Sequence, residues 1–267
     1  MCRVLQVSRS GFYDWRKREP ADLDRQVLQN LVRGIHEGKR GRIGSRRMAK
    51  ELQKRGYPIG RLQARSLMRE AGVECRQRRR FKATTDSNHG RPVAPNLLER
   101  QFNVVEPSRV WVADITTIWT REGWLYLAAV LDLADRQVVG WAVADHMRTE
   151  LATSALEMAL GRRRPEAGLI HHSDRGSQYA ANEFQQMLEA KGILQSMSRK
   201  GDCWDNAVME RFFGTLKSEW TDAHPYHTRE EARRDVIHFM EMEYNSARPH
   251  TALNQLTPRE WELAAVS

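Results

Sequence analysis

The order of predicted strands and helices in the second half of the chain restricts its fold more than any other feature. Residues 110–119 form the alternating run VWVADITTIW, and two more strand-like runs follow after short turns. Helix and strand then alternate as far as residue 220. Three hairpin-connected strands followed by this alternation predict an α/β fold with one mixed sheet and helices packed on it. The predicted strands span 110–119, 124–133, 137–145, 168–173 and 193–198, and the predicted helices span 150–162, 182–191 and 206–220.

Three acidic residues lie at informative points in this order. Asp114 stands in the first strand where a buried hydrophobic residue is expected, and Asp174 follows the fourth strand at a polar turn. Glu210 lies in the last helix, 36 positions beyond Asp174. Because a buried charge is unfavourable unless another group pairs with it, we expect the three carboxylates to converge. The alternative is a chance triple of solvated acids, since the chain has 34 of them.

Converging carboxylates are typical ligands of a hard divalent cation. Mg²⁺ takes oxygen ligands in near-octahedral geometry, usually one or two carboxylates with water and substrate phosphate. Two ions about 3.5–4 Å apart stabilise the attacking and leaving oxygens of an in-line displacement at phosphorus. Three shared acids suffice for two Mg²⁺ ions, with Mn²⁺ as a substitute. The pattern therefore favours metal-assisted chemistry on a phosphodiester.

The predicted helix that carries Glu210 has two distinct faces, and Asp205 is its predicted N-cap. Lys217 lies two turns beyond Glu210, where it can meet a phosphate. The alternative is a weak Glu210–Lys217 ion pair, worth about 0.2–0.5 kcal/mol. The apolar stripe consists of Met209, Phe212, Phe213, Leu216 and Trp220, and the polar stripe of Asn206, Glu210, Gly214 and Lys217.

The first hundred residues are strongly basic, with 25 Lys and Arg against 10 acids, whereas the rest of the chain has 18 against 24. Helices are predicted at 22–37, 45–55 and 61–71, and the third has a row of arginines beside its apolar face. This is a helix-turn-helix pattern whose last helix can enter a DNA groove. The alternative is a small helical bundle with a solvated basic surface. The row consists of Arg61, Arg65 and Arg69.

Other basic residues are candidate DNA contacts. A basic linker after the third helix is expected to follow the DNA backbone, and the loop before the Glu210 helix is expected to move or become ordered on DNA. These candidates are Arg78, Arg79 and Arg80 in the linker, Arg199 and Lys200 in the loop, and Arg248 and His250 near the end of the chain.

Cysteine usage and hydropathy exclude several classes of protein. Three scattered cysteines, Cys2, Cys75 and Cys203, argue against a disulfide framework and a zinc module. No signal peptide and no apolar run of about 18 residues is visible, which predicts a cytoplasmic, nucleoid-associated protein without membrane contact. His171 and His172 precede Asp174 on opposite faces of a strand, so at most one lines the site, and each is expected to be structural. Asp132 and Asp135 are expected to be structural as well.

The motifs around the three acids resemble a known family. WVADIT around Asp114, HSDRGSQY around Asp174 and GDCWDNAVMERFFGTLKSEW around Glu210 are similar to the integrase-core transposases of bacterial insertion sequences, relatives of retroviral integrases. The resemblance extends from CRVLQVSRSGFYDW to YNSARPHTALNQLTPREWE, and it is closest to the second-frame product of two-frame elements. It implies an RNase H-like catalytic core, an Asp-Asp-Glu metal site at Asp114, Asp174 and Glu210, and a basic role for Lys217. The expected regions are an arm (1–21), a helix-turn-helix-like region (22–75), a linker (76–103), the core (104–222) and a helical extension (223–267).

The resemblance also implies a reaction and partners. Metal-dependent DNA cleavage and strand transfer are expected, on the ends of an insertion sequence and on target DNA. The expected assembly is a homo-oligomer on DNA, with an upstream-frame segment as a fusion partner. Two alternatives stay open: a catalytically inactive DNA-binding regulator of the element, and an RNase H-type nuclease acting on hybrids.

Overall fold

The computed structural model describes Ser8, Tyr13 and residues 23–75, 92–199 and 202–266. The chain divides into two compact units, within residues 1–77 and within residues 78–267. The predicted linker residues 76–91, and the predicted arm apart from Ser8 and Tyr13, lie outside the described residues. The region boundaries inferred from the sequence therefore stay predictions.

The described part of the first unit is a bundle of three helices whose bounds match the predicted ones to within a residue. They are α1 (Leu23–Gly38), α2 (Ser45–Lys54) and α3 (Arg61–Glu70). Their apolar faces meet in a core that includes Val32, Met48 and Leu52. The Arg25 guanidinium also joins α1 to α3, with Nε and Nη2 donating to the Glu70 carboxylate at 2.9 and 2.7 Å.

The second unit contains a five-stranded mixed sheet in the strand order β3-β2-β1-β4-β5. The first three strands are antiparallel, whereas β4 and β5 run parallel to β1. This confirms the predicted mixed sheet. The strands are β1 (Val110–Thr120), β2 (Gly123–Asp132), β3 (Val138–Ala144), β4 (Ile170–Ser173) and β5 (Leu194–Met197).

The predicted strand bounds differ from the observed ones by one or two residues. The largest difference is at β4, which was expected from residue 168 and begins at Ile170. Gly168 has a φ of +94°, which is incompatible with extended strand geometry. The glycine therefore belongs to the turn before the strand.

Helices cover both faces of the sheet. One face, which includes Trp111 and Val130, packs against α4 (Thr149–Arg163) and α5 (Asn182–Ala190). The other face, which includes Val112 and Leu127, packs against α6 (Ala207–Glu219) and α7 (Arg229–His238). Because side chains alternate along a strand, Asp114 lies on the same face as Val112, the face that carries α6.

The C-terminal helical segments close this second face. α7 continues into a wider π-helical turn at Phe239–Tyr244, and α8 spans Pro258–Val266. Arg248, a predicted DNA contact, donates from both terminal nitrogens to the Glu219 carboxylate, and His250, another predicted contact, packs edge-on against Tyr244. Their contact with DNA stays a prediction. Among the described residues, no helix combines the length and apolar character that crossing a membrane requires.

Candidate active site

The register of the sheet brings Asp114 and Asp174 side by side. The last paired residues of β1 and β4 are Ala113 and Ser173, and the two aspartates follow them directly. Neighbouring strands lie about 4.8 Å apart. The two carboxylates therefore project from adjacent strands at one edge of the parallel pair.

α6 brings Glu210 to the same place. The five predicted apolar residues of this helix are buried, so the helix lies with its other stripe beside β1. Asn206, at the start of that stripe, donates from Nδ2 to the carbonyl oxygen of Ala113 at 3.1 Å. Because Ala113 immediately precedes Asp114, this bond fixes the beginning of α6 next to the first aspartate. Glu210 follows one helical turn later on an exposed part of the helix.

The electrostatics of Asp114 record this convergence. Burial raises its pKa well above the usual value, and the negative charges of Asp174 and Glu210 raise it further. The backbone N–H of Ile115 and the charge of Lys217 act in the opposite direction. The pKa of Glu210 is also raised by partial burial. Asp114 therefore lies close enough to Asp174, Glu210 and Lys217 to be affected by the charge of each.

The carboxylates are not arranged around a common point. Within residues 23–75, 92–199 and 202–266, no three His, Cys, Asp or Glu side chains form a group that could hold a metal ion. Instead, Oδ1 of Asp114 accepts the N–H of Ile115 at 2.7 Å, and Oδ1 of Asp174 accepts the N–H of Gly176 at 2.9 Å. The donor set of three hard oxygen ligands still fits a divalent cation such as Mg²⁺. Such a cation requires the carboxylates to turn toward one another.

Asp205 does not cap the Glu210 helix, so that sequence prediction is wrong. The N-cap position is Asn206, after a 3₁₀ turn at Cys203–Asn206. The fully buried Asp205 carboxylate instead accepts from Asn96, Arg100 and Arg199 at 2.8–3.0 Å. Hydrogen bonds from Arg199 hold the pKa of Asp205 well below its usual range. The residue ties the turn before α6 to the distant segment that carries Asn96 and Arg100, and to the nearby Arg199.

The two histidines before Asp174 are both fully buried. The His172 ring nitrogens lie 2.8 and 3.2 Å from the hydroxyl groups of Ser196 and Ser198, and burial lowers the pKa of His172 to about 4. The His171 ring packs against Phe184, and neither of its nitrogens has a hydrogen-bond partner among the described residues. Burial, together with the nearby His172, lowers the pKa of His171 to about 3. These surroundings suit structural, neutral histidines.

Lys217 lies on α6 beyond Glu210 and is half-buried. Burial lowers its pKa, whereas the charges of Asp222 and Asp114 raise it. The ammonium group thus belongs to the electrostatic surroundings of Asp114, although its predicted contact with phosphate stays a prediction.

The other predicted DNA contacts have different surroundings. Arg199 is more than half exposed, and its Nε and Nη2 donate to Asp205. The three arginines of the α3 row are exposed. Lys200 and the linker arginines Arg78, Arg79 and Arg80 lie outside the described residues.

Two residues near the acids had no role assigned from the sequence. The sequence placed Asn206 on the polar stripe. It did not show the hydrogen bond to the Ala113 carbonyl, because Ala113 lies in a strand 93 positions away. Tyr179 is buried, with 2% of its surface exposed. Burial and the negative charges of Asp114 and Asp174 raise the pKa of its hydroxyl group well above the usual value. The sequence signal for Tyr179 was its place in HSDRGSQY, which does not show which way the ring points.

Family models match most of the chain. Two models described as integrase core domains match residues 105–203 and 191–258, and a model described as an HTH-like domain matches residues 22–81. The first two matches cover the sheet and all three acids, and the third covers the three-helix bundle. They confirm the predicted integrase-like core and helix-turn-helix-like region.

Curated relatives match nearly the whole length. The chain is 45% identical over 260 residues to the insertion element IS600 uncharacterized 31 kDa protein of Shigella sonnei, covering 97% of this chain and 96% of that protein. It is 38% identical over 266 residues to the transposase InsF for insertion sequence IS3A of Escherichia coli, covering 98% of this chain and 92% of that protein. A solved simian T-cell lymphotropic virus intasome matches with a TM-score of 0.51 and 18% identity, over 88% of this chain and 73% of that one. This last match shows a shared fold.

Proposed function

The chain belongs to the IS3 family of insertion-sequence transposases, and from this premise we propose that it cleaves DNA and joins strands at Asp114, Asp174 and Glu210. The observation that carries the proposal is the placement of these residues: Asp114 and Asp174 directly follow the last paired residues of β1 and β4, and Asn206 fixes the start of the Glu210 helix against Ala113. Carboxylates held in mutual repulsion beside a lysine are unfavourable for folding alone. They are favourable once positive charge is bound between them.

The three carboxylates are the proposed ligands of Mg²⁺, or of Mn²⁺ as its substitute, and two ions suit the number of acids. When bound, such ions polarise the scissile phosphate and lower the pKa of the attacking water. The protein's own groups position the metal ligands and neutralise negative charge. The sheet holds Asp114 and Asp174, Asn206 fixes the start of α6, and Lys217 contributes positive charge beside Asp114.

The proposed reaction consists of two phosphoryl transfers. In the first, a water oxygen bonds to phosphorus and the bond to the 3′ oxygen breaks, which leaves a 3′-hydroxyl and a 5′-phosphate. In the second, that 3′-hydroxyl attacks a phosphodiester of target DNA, and the 3′ oxygen of the target strand departs with a proton. Both are in-line displacements at one type of centre, so one set of acids serves both.

The proposed partners are the two ends of the insertion sequence and a target duplex, bound by a homo-oligomer. The exposed arginine row of α3 supports DNA binding by the first unit, since arginine side chains commonly contact backbone phosphates. An upstream-frame segment fused to this chain is a further proposed partner in the active species.

The test is a cleavage and joining assay on labelled DNA that carries the element's ends, with Mg²⁺, Mn²⁺ or EDTA. Asp174→Asn and Glu210→Gln are expected to lower cleavage and joining by at least about 100-fold, because each removes charge from the metal site. DNA affinity in EDTA is expected to change by less than about twofold. Matched controls are Glu157→Gln and Glu189→Gln, which alter exposed acids on α4 and α5.

The assay is run on this chain alone and on its fusion to the upstream-frame product. Full activity of either acid variant contradicts the assignment. Cleavage restricted to the RNA strand of a hybrid identifies an RNase H-type nuclease instead. DNA binding that is indifferent to metal, with no product from either preparation, identifies a regulator.

A further inference from the structure

Trp204 is the most exposed tryptophan among those that the structure describes. About two thirds of its surface, 68%, is accessible, compared with 59% for Trp119 and 47% for Trp124. The other described tryptophans are buried or half-buried. Burying a large aromatic side chain favours folding by about 1.5–3 kcal/mol, so an indole kept in solvent is available to a partner.

The backbone that carries Trp204 is anchored from both of the following residues. Asp205 is fully buried and accepts from the side chains of Asn96 and Arg100. Asn206 is 5% exposed and donates to the Ala113 carbonyl. The backbone that carries the indole is therefore held in place, and ordering the side chain on a ligand loses little conformational entropy.

The anchored backbone of Trp204 lies near the three acids. Two residues of chain span at most about 7 Å, so the Trp204 backbone lies within that distance of Asn206, whose side chain contacts the residue before Asp114. Glu210 follows six residues later, in the helix that begins directly after the turn. The Trp204 backbone is thus held near the residues at which, on the proposed function, a phosphodiester is bound.

We propose that Trp204 is a stacking platform for an unpaired nucleobase of the DNA strand held at Asp114, Asp174 and Glu210. This inference rests on the proposed function. Every nucleobase has a flat π face, so stacking on an indole is strong and tolerant of sequence. A base that leaves the duplex loses stacking with its neighbours, and the indole replaces it. The strand end beside the acids is thereby held open.

The test compares binding of two 30-base-pair duplexes by fluorescence anisotropy in Ca²⁺ and 150 mM NaCl. One duplex is fully paired, and the other ends in three unpaired 3′ thymidines. The native chain is expected to prefer the forked duplex, and Trp204→Leu to lose about 5- to 150-fold of that preference, the range found when stacking aromatics are removed. Trp204→Phe is expected to keep most of it. A forked duplex with three abasic sites is expected to bind no better than the paired one.

Trp119→Leu is the matched control, because Trp119 is similarly exposed but lies at the far end of β1. Thermal unfolding of each variant verifies the fold. An unchanged fork preference in Trp204→Leu overturns the proposal, as does equal binding of the abasic fork. A change only in oligomeric state, measured by light scattering, assigns Trp204 to a protein contact and also overturns it.

The two proposals fail in different ways. Asp174→Asn is expected to keep the fork preference and lose cleavage. Cleavage by the native chain without any fork preference refutes stacking and leaves the transposase reaction standing. If Trp204→Leu removes the fork preference but the native chain never cleaves DNA, stacking is supported and the transposase reaction is refuted.

Discussion

At the scale of single residues, two carboxylates on neighbouring strands show what distinguishes a site from a structural charge. Asp132 is fully buried, and its oxygens accept N–H groups from Ser108, Trp111 and Ala134 at 2.7–3.1 Å. Asp114 has a backbone donor in Ile115, and it experiences the negative charges of Asp174 and Glu210. Burial raises the pKa of both. Three N–H donors offset part of the cost of the Asp132 charge, whereas Asp114 has one such donor and lies near other carboxylates.

We expect Asp114→Asn to stabilise the metal-free protein by about 0.5–2 kcal/mol, the usual gain when an unfavourable active-site group is removed. A carboxyl group whose pKa is raised by folding reduces stability as the pH rises above its unfolded value, about 3.9, so the gain is present at pH 7. Asp132→Asn should instead destabilise by about 1–3 kcal/mol, since its amide nitrogen would face an N–H donor. Urea unfolding in EDTA measures both.

Mg²⁺ provides the complementary measurement. It should raise the unfolding free energy of the native chain and of Asp132→Asn, because a ligand that binds only the folded state stabilises it. It should leave Asp114→Asn unchanged. If Asp114→Asn is less stable than the native chain in EDTA, the carboxylate is a structural one and the three-acid site loses its electrostatic support.

At the scale of elements, β3 and α4 approach each other closely at Gly140. A Cβ added at Gly140 would lie 2.2 Å from the Ala155 carbonyl oxygen and 2.7 Å from the Ala159 Cβ. Both contacts are with the helix itself, so no flexible side chain can move aside. The absence of a side chain at position 140 therefore sets the distance between this helix and the sheet.

Gly140→Ala is expected to destabilise the second unit by about 1–3 kcal/mol, because overpacking forces the helix away from the strand. Gly161→Ala, on helix α4, which packs against Gly140, is a matched control. An added Cβ there meets nothing within 4 Å, and alanine is favoured over glycine in a helix by up to about 1 kcal/mol. Opposite signs in thermal unfolding support this packing, and equal losses contradict it.

Element types, and the position of Asp114 in the first strand, could be predicted because their signals are local. Period-2 and period-3.6 patterns located the strands and helices, and Asp114 was recognisable as a charge in an apolar run. The role of Asp205 could not be predicted, because its partners Asn96 and Arg100 lie more than 100 positions away. A short polar residue before a helix is usually a cap, and here long-range ion pairs outweighed that local preference.

The same limit applies to the histidines and to Arg248. Alternation along β4 placed His171 and His172 on opposite faces, but only the packing of helices on both faces shows that both are fully buried. Arg248 was predicted to contact DNA, and this stays a prediction. Its pairing with Glu219, 29 positions away, becomes visible only when α6 and the C-terminal segment meet.

At the scale of the whole molecule, charge is divided between the two ends of the chain. The first hundred residues have a net charge of +15, from 25 basic and 10 acidic residues, and the remainder a net charge of −6, from 18 and 24. Each phosphate that a basic side chain neutralises releases counterions, so affinity for DNA falls steeply with salt. The acidic remainder needs cations of its own before a DNA strand can approach its carboxylates. The two halves should thus respond to monovalent salt and to Mg²⁺ separately.

The α3 row provides the sharpest test of how the first unit meets DNA. If the row lies along a groove and contacts phosphates, replacing Arg61, Arg65 and Arg69 by alanine removes about three phosphate contacts. The slope of log affinity against log salt should then fall by about 2–3. The control changes the same charge on α2 by replacing Arg46, Lys50 and Lys54, which are also exposed. Binding is measured from 50 to 300 mM NaCl in EDTA, so that the acidic site does not contribute.

A groove-binding helix predicts a large change in the salt slope for the α3 variant and a small one for the α2 variant. Equal changes would mean that DNA responds only to net charge, and the three-helix unit would then be a basic bundle rather than a helix-turn-helix reader.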